Sequence, residues 1–142
     1  MPGIKVFIDT NILLYLLSED SNKADRAETI IRAGGTISVQ VLNEFANVAH
    51  RKLAMSWIEI NELISLIRSL CSSIEPLTIE IHDLGKLIAE RYKLSGYDAM
   101  IVAAALLGGC ETLYSEDMHD GLLIENQLRI CNPFTIHRSS GD

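Results

Sequence analysis

The sequence predicts an α/β fold in three layers, helix, sheet and helix, around a central, mostly parallel sheet of four to five strands. Three observations lead there. The first candidate strand, Ile4 to Ile8, is apolar at nearly every position, as in a strand covered on both faces. Such short segments alternate with stretches of helical periodicity, the pattern of βαβ units. No linker, internal repeat or low-complexity run interrupts the alternation, so 1–142 is expected to form one domain.

The elements follow in order. A helix should begin at about Asn11. A second should run from about Lys23 to Ala33, capped by Asn22 or Ser21 and stopped by Gly34-Gly35. Residues 36–39 (TISV) form a second strand that passes directly into a helix carrying QVLNEFANVAHRK. Ser56 and Glu59 make a capping box for a helix with Ile60, Leu63, Ile64, Ile67, Leu70 and Cys71 along one face. Residues 73–77 (SIEPL) can form a third strand, and Thr78 can cap the next helix, with Ile81, Leu84, Ile88 and Tyr92 as its stripe. The helix from Tyr97 to Leu107 is apolar almost all round and should be central. Residues 111–115 (ETLYS) form a fourth strand, and a last one falls near Leu128 to Ile130 or Phe134 to Ile136.

Composition narrows the function. The 142 residues are 48% hydrophobic and 22% charged, ordinary for a globular domain. The apolar stretch at 12–17 runs into Glu19 and Asp20 without a cleavage pattern. The longest apolar run, Ala99 to Leu107, is about half of what spans a bilayer. A cytoplasmic protein without a membrane segment is expected. Three cysteines and four histidines have no zinc-binding spacing. A net charge of −7 argues against a general nucleic-acid binder. It does not exclude an enzyme that gathers acids in one place to hold metal.

Four acids stand where solvation does not explain them. Asp9 ends the first strand, and ligands of open α/β sheets collect at carboxyl ends of strands. Glu44 lies in an apolar helix segment beside Leu42 and Phe45, where an unpaired acid is costly. Asp98 opens the most apolar helix, whose N-terminus favours a carboxylate. Asp117 follows the fourth strand as Asp9 follows the first. Asp120, three residues on and before Gly121, is either a second candidate for this role or a turn former. Taken singly, each has an ordinary reading as cap, turn or surface residue. Jointly, two strand ends and two helices can deliver four carboxylates to one edge of the sheet. Such a cluster stays ionised only with cations nearby, and oxygen ligands of this kind suit Mg²⁺ or Mn²⁺. Without these four acids the net charge would be −3, so one site carries more than half of the excess. Divalent ions on carboxylates are the machinery of phosphodiester chemistry.

These segments resemble the PIN-domain family, and within it the VapC-type toxin nucleases of toxin–antitoxin pairs. FIDTN at 7–11 resembles the family's opening Asp-Thr-Asn, and VLNEF its helix-borne Glu. GYDAMIVAAAL is similar to its Ala-rich helix opened by Asp. LYSEDMHDG, followed by NPF, resembles its closing Ser/Thr-x-Asp segment. The resemblance implies a Mg²⁺-dependent endoribonuclease with Asp9 and Asp98 as main ligands and Glu44 and Asp117 completing the acidic centre. Asn11 and Ser115 match supporting positions. It also implies a homodimer and a cognate antitoxin, which would lay a helix in an apolar groove that ILLYLL (12–17) and WIEI (57–60) could help line.

RNA needs local cations on so acidic a protein. Arg51, seven residues after Glu44, shares its helical face, and His50 and Lys52 adjoin it. Arg91 and Lys93 precede Asp98. All are candidate phosphate contacts. Two rival readings remain. A receiver-like signalling domain also binds Mg²⁺ at strand ends, but it wants a paired acid beside the first strand and a late Lys. A non-catalytic module could use the acids only to attract a basic partner.

Overall fold

The computed structural model describes residues 4–135. Six strands form one sheet: β1 (Val6–Ile8), β2 (Thr36–Ser38), β3 (Ser73–Glu75), β4 (Thr112–Tyr114), β5 (Leu123–Ile124) and β6 (Leu128–Cys131). Their order is β3-β2-β1-β4-β6-β5, and all pairs are parallel except β5 with β6. The expected α/β architecture is thus present with six strands, not four to five. The addition is β5, too short at two residues to show a period. It folds back on β6 through Glu125 and Asn126, both at positive φ, a conformation that asparagine tolerates well. The last parallel strand falls at 128–131. The alternative at 134–136 lies partly outside the described residues, and Phe134 stands in a turn.

Six helices connect the strands: α1 (Thr10–Leu14), α2 (Ser21–Arg32), α3 (Val39–Arg51), α4 (Trp57–Leu70), α5 (Ile79–Tyr92) and α6 (Gly96–Leu107). α1 runs on into a 3-10 turn, Tyr15–Leu17. The strand order gives these helices their layers. From β1 to β2 to β3 the chain moves one way across the sheet, and from β3 to β4 it returns past β1. Right-handed crossovers then put α1 to α4 on one face and α5 and α6 on the other. The packing agrees: α1, α2, α3 and α4 contact one another, while α5 packs against α6. The direction reverses between β1 and β4, and such a switch point opens a crevice at the carboxyl edge.

Phe7, Ile8, Ile37, Leu113 and Ile130 of the strands are fully buried between the helical layers. α6 presents an unbroken buried run from Ile101 to Ala105, as its uniform apolarity demands. Ser56 and Glu59 form both halves of the expected capping box, and Thr78 caps α5. Several boundaries differ from expectation: β2, β3 and β4 are each shorter than expected, and Val39 opens α3. α2 is capped by Asp20, not by Ser21 or Asn22, because the Asp20 carboxylate accepts from the Asn22 and Lys23 amides at 3.1 and 3.3 Å. β1 starts at Val6, since Ile4 lies 68% exposed beyond the paired register.

Candidate active site

The crevice at the switch point is built by four chain segments. Asp9 directly follows β1 and is only 5% exposed. Its extended backbone (φ −75°, ψ 161°) makes it the cap of α1, and Oδ1 accepts from the Thr10 amide at 2.7 Å. β4 ends beside it, and the buried Ser115 hydroxyl donates to Asp9 Oδ2 at 2.8 Å. The same Ser115 oxygen accepts from the Asp117 amide at 3.3 Å, so one hydroxyl ties the first acid to the loop carrying the fourth. From α3, Glu44 reaches the crevice with both oxygens held: Oε1 accepts from the Thr10 hydroxyl at 2.7 Å and Oε2 from the Gln40 amide at 3.1 Å. Asp98 comes from the first turn of α6, fixed by the Ser95 cap that accepts its amide at 3.3 Å.

Asp9, Thr10, Asn11, Leu14, Glu44, Asn47, Val48, Asp98 and Asp117 line a single cavity of about 250 Å³. All four singled-out acids are therefore in one place. Asp120 is not among them. It accepts from the Asn132 amide at 2.9 Å and secures the loop after β6, the turn-former role. Asn11 lines the cavity, accepts from the Glu116 amide at 3.4 Å, and holds a buried Nδ2 that has no partner among the described residues.

The electrostatics follow from the crowding. Burial pushes the Asp9 carboxyl up to about 6. The Ser115 and Thr10 hydrogen bonds oppose that rise, while the charges of Asp98 and Glu44 add to it. Asp98 is raised too, by burial first and then by Asp117 and Glu44, with the Ser95 cap pulling the other way. These carboxylates feel each other's charge.

Among the described residues, no three His, Cys, Asp or Glu side chains stand close enough together to chelate one ion. Thr10 bridges two of the acids, its amide donating to Asp9 and its hydroxyl to Glu44. The donor set still suits Mg²⁺, which keeps most of its waters and takes one or two carboxylates from a protein. No thiol or imidazole lines the cavity.

The candidate phosphate contacts stand apart from the acids. Arg51 and Lys52 are exposed at the C-terminal end of α3, one turn beyond Asn47. His50 stacks on Trp57 with ring centroids 4.3 Å apart. Lys93 is exposed and caps α5 at φ 60°. Arg91 is ion-paired with Glu125. Thr10, Gln40, Asn47 and Ser95 belong to the site but were not singled out in the sequence. The signal for Gln40 was present, because Gln40 and Glu44 stand four apart on one helix and so face each other.

The model of the PIN domain family matches residues 6–119. The chain belongs to the PIN-domain family. No curated protein matches it. Solved structures share the fold. A toxin–antitoxin complex from Klebsiella pneumoniae is similar, with TM-score 0.69 and 23% identity over 93% of this chain and 100% of that one. The Mycobacterium tuberculosis toxin VapC20, which cleaves the sarcin–ricin loop, aligns with TM-score 0.65 and 18% identity over 80% and 90%. VapBC2 from Rickettsia felis, bound to a promoter DNA fragment, aligns with TM-score 0.64 and 15% identity over 91% and 100%. At identities this low the likeness is one of fold. In this PIN domain the four acids fall just after β1, on α3, on α6 and in the segment after β4, all at the carboxyl edge.

Proposed function

We propose that this PIN domain is a metal-dependent endoribonuclease and the toxin of a toxin–antitoxin pair. The observation that carries the reading is the convergence of Asp9, Glu44, Asp98 and Asp117 on one cavity from segments more than a hundred residues apart (Asp9 to Asp117). Hard carboxylate oxygens at a switch point call for a hard divalent ion, and Asp9 and Asp98 are its proposed principal ligands. When bound, Mg²⁺ or Mn²⁺ supplies charge stabilisation for a phosphodiester and acidifies a water. The protein does the rest. Ser115 donates to Asp9 and favours its ionised form. Thr10 and Gln40 fix both oxygens of Glu44. Ser95 orients the first turn that presents Asp98. Asp117, exposed at the mouth of the cavity, is the acid with most freedom to meet substrate. Arg51, Lys52 and Lys93 are proposed phosphate contacts, since none is ion-paired among the described residues.

The partner part of the proposal rests on an apolar groove of about 230 Å³ between α2 and α4, lined by Leu16, Ile31, Leu63, Leu66, Ile67 and Leu70 with Glu28 and Arg32 at its edge. Of the two stretches expected there, ILLYLL contributes Leu16, whereas Leu14 lines the acidic cavity. In WIEI, Ile60 is core, while Trp57 and Ile58 are 52% and 74% exposed. An antitoxin helix in this groove, and a homodimer, complete the reading. A receiver-like domain is disfavoured by the strand order, because that fold runs 2-1-3-4-5.

The test is cleavage of total RNA by purified protein with Mg²⁺, with EDTA, and by Asp98→Asn. Loss in both controls, with the variant's melting curve intact, supports the proposal. Undiminished cleavage in excess chelator removes it.

A further inference from the structure

A second hollow, about 500 Å³, adjoins the acidic cavity and shares Glu44 and Asn47 with it. Its other lining residues are Gln40, Asn43, Leu77 and Tyr97. Three features distinguish it. Its size falls within the roughly 300–1,000 Å³ of sites that enclose a small organic group. Its polar groups are amides: Gln40, Asn43 and Asn47 repeat along α3 at helical spacing, and no Lys or Arg lines it. Its far wall holds Tyr97, a phenol ring 75% exposed to solvent, next in sequence to the proposed ligand Asp98.

Exposed aromatic surface beside amide side chains is the equipment for an unpaired nucleobase. A ring offers a stacking face that any base can use, and Asn or Gln offers a donor and an acceptor to a base edge. The lack of cations says which part of a nucleotide enters. A phosphate gains nothing from uncharged amides next to Glu44, whereas a neutral base loses nothing there. A cationic peptide would find only one carboxylate in this hollow, and richer attraction in the acidic cavity itself.

We propose that this hollow is a base subsite next to the scissile position, with Tyr97 stacking one unpaired base of the RNA and Asn43 reading its edge. The inference rests on the nuclease reading and adds to it a single-stranded substrate with a base preference at one fixed position from the cut. Asn47 lines both cavities and marks where that nucleotide passes toward the acids.

The experiment uses the full chain and short single-stranded RNA oligonucleotides. Cleavage with Mg²⁺ is measured for wild type, Tyr97→Ala, Tyr97→Phe and Asn43→Ala, on RNAs carrying an abasic nucleotide at each position in turn. Binding is followed by anisotropy in Asp98→Asn backgrounds. Tyr97→Ala should weaken binding by roughly tenfold to a hundredfold, the range of one lost base stack, and Tyr97→Phe should keep it. One abasic position should erase the difference between wild type and Tyr97→Ala. Asn43→Ala should change the preferred base at that same position. Wild-type cleavage with no effect of Tyr97→Ala overturns the subsite and leaves the nuclease standing. A loss in Tyr97→Ala that accompanies a change in oligomeric mass, insensitive to abasic position, identifies a contact between copies instead. No cleavage of any RNA by wild type defeats the nuclease reading itself.

Discussion

Replacing Ser115 by Ala tests the hydrogen bond on which the acidic site turns. The hydroxyl donates to Asp9 Oδ2 at 2.8 Å inside a buried site, so it stabilises the ionised carboxyl. A hydrogen bond to a charged group contributes about 1.5–3 kcal/mol. Without it the Asp9 carboxyl, already near 6, moves up by about one to two pH units. At pH 7 the wild-type carboxyl is about nine-tenths ionised, and that of the variant between about one-tenth and one-half. Metal must then displace a proton, and the apparent Mg²⁺ requirement at pH 7 should rise about twofold to tenfold. At pH 9 both proteins are ionised and the requirements should converge. The assay is a Mg²⁺ titration of RNA cleavage at pH 6.5, 7, 8 and 9. A Ser115→Ala deficit of equal size at every pH refutes the reasoning, because it would mean lost geometry and not a shifted proton equilibrium.

Metal-free stability should respond to Asp9 in the direction opposite to an ordinary salt-bridged Asp. Its folded carboxyl is raised from 3.8 to about 6, so the folded state holds its proton more tightly than the unfolded chain. The stability this contributes is present at low pH and lost as pH climbs through 4 to 6, by up to about 3 kcal/mol for a group this buried. In EDTA, Asp9→Asn should therefore gain on wild type as pH rises from 4 to 7 in denaturant titrations, and Mg²⁺ should stabilise only wild type. Thr10→Val keeps the shape but removes the donor to Glu44; cleavage should fall while the melting temperature moves little, as measured by initial rates and calorimetry. Leu66→Glu, at a half-exposed position in the apolar groove, should leave RNA cleavage intact and abolish binding of the cognate antitoxin in a pull-down with that purified protein. Phe45→Ala, fully buried beside Glu44, should cost about 3–5 kcal/mol in urea unfolding.

The sequence by itself determined what is local or periodic. Apolarity at nearly every position of Ile4 to Ile8 and continuously in 101–105 marks segments that contain the buried residues Phe7, Ile8 and Ile101 to Ala105, and Ser56 with Glu59 and Thr78 before Ile79 mark helix starts, because caps act within one turn. The odd placement of Asp9, Glu44, Asp98 and Asp117 was equally readable, since an acid next to buried residues stands out without coordinates. Tertiary structure decided the partners. Thr10 and Glu44 are 34 residues apart and Ser115 and Asp9 are 106 apart, and no local period records such pairs. Asp117 and Asp120 look alike in sequence, yet a turn of the chain sends one to the cavity and the other to the Asn132 amide. The strand order, and with it the crevice, arises from packing two helical layers on one sheet. The two-residue strand β5 exists only because β6 offers it an edge. The rise of the Asp9 carboxyl is likewise a property of the assembled site, since it comes from burial and from charges that meet only when the chain is folded.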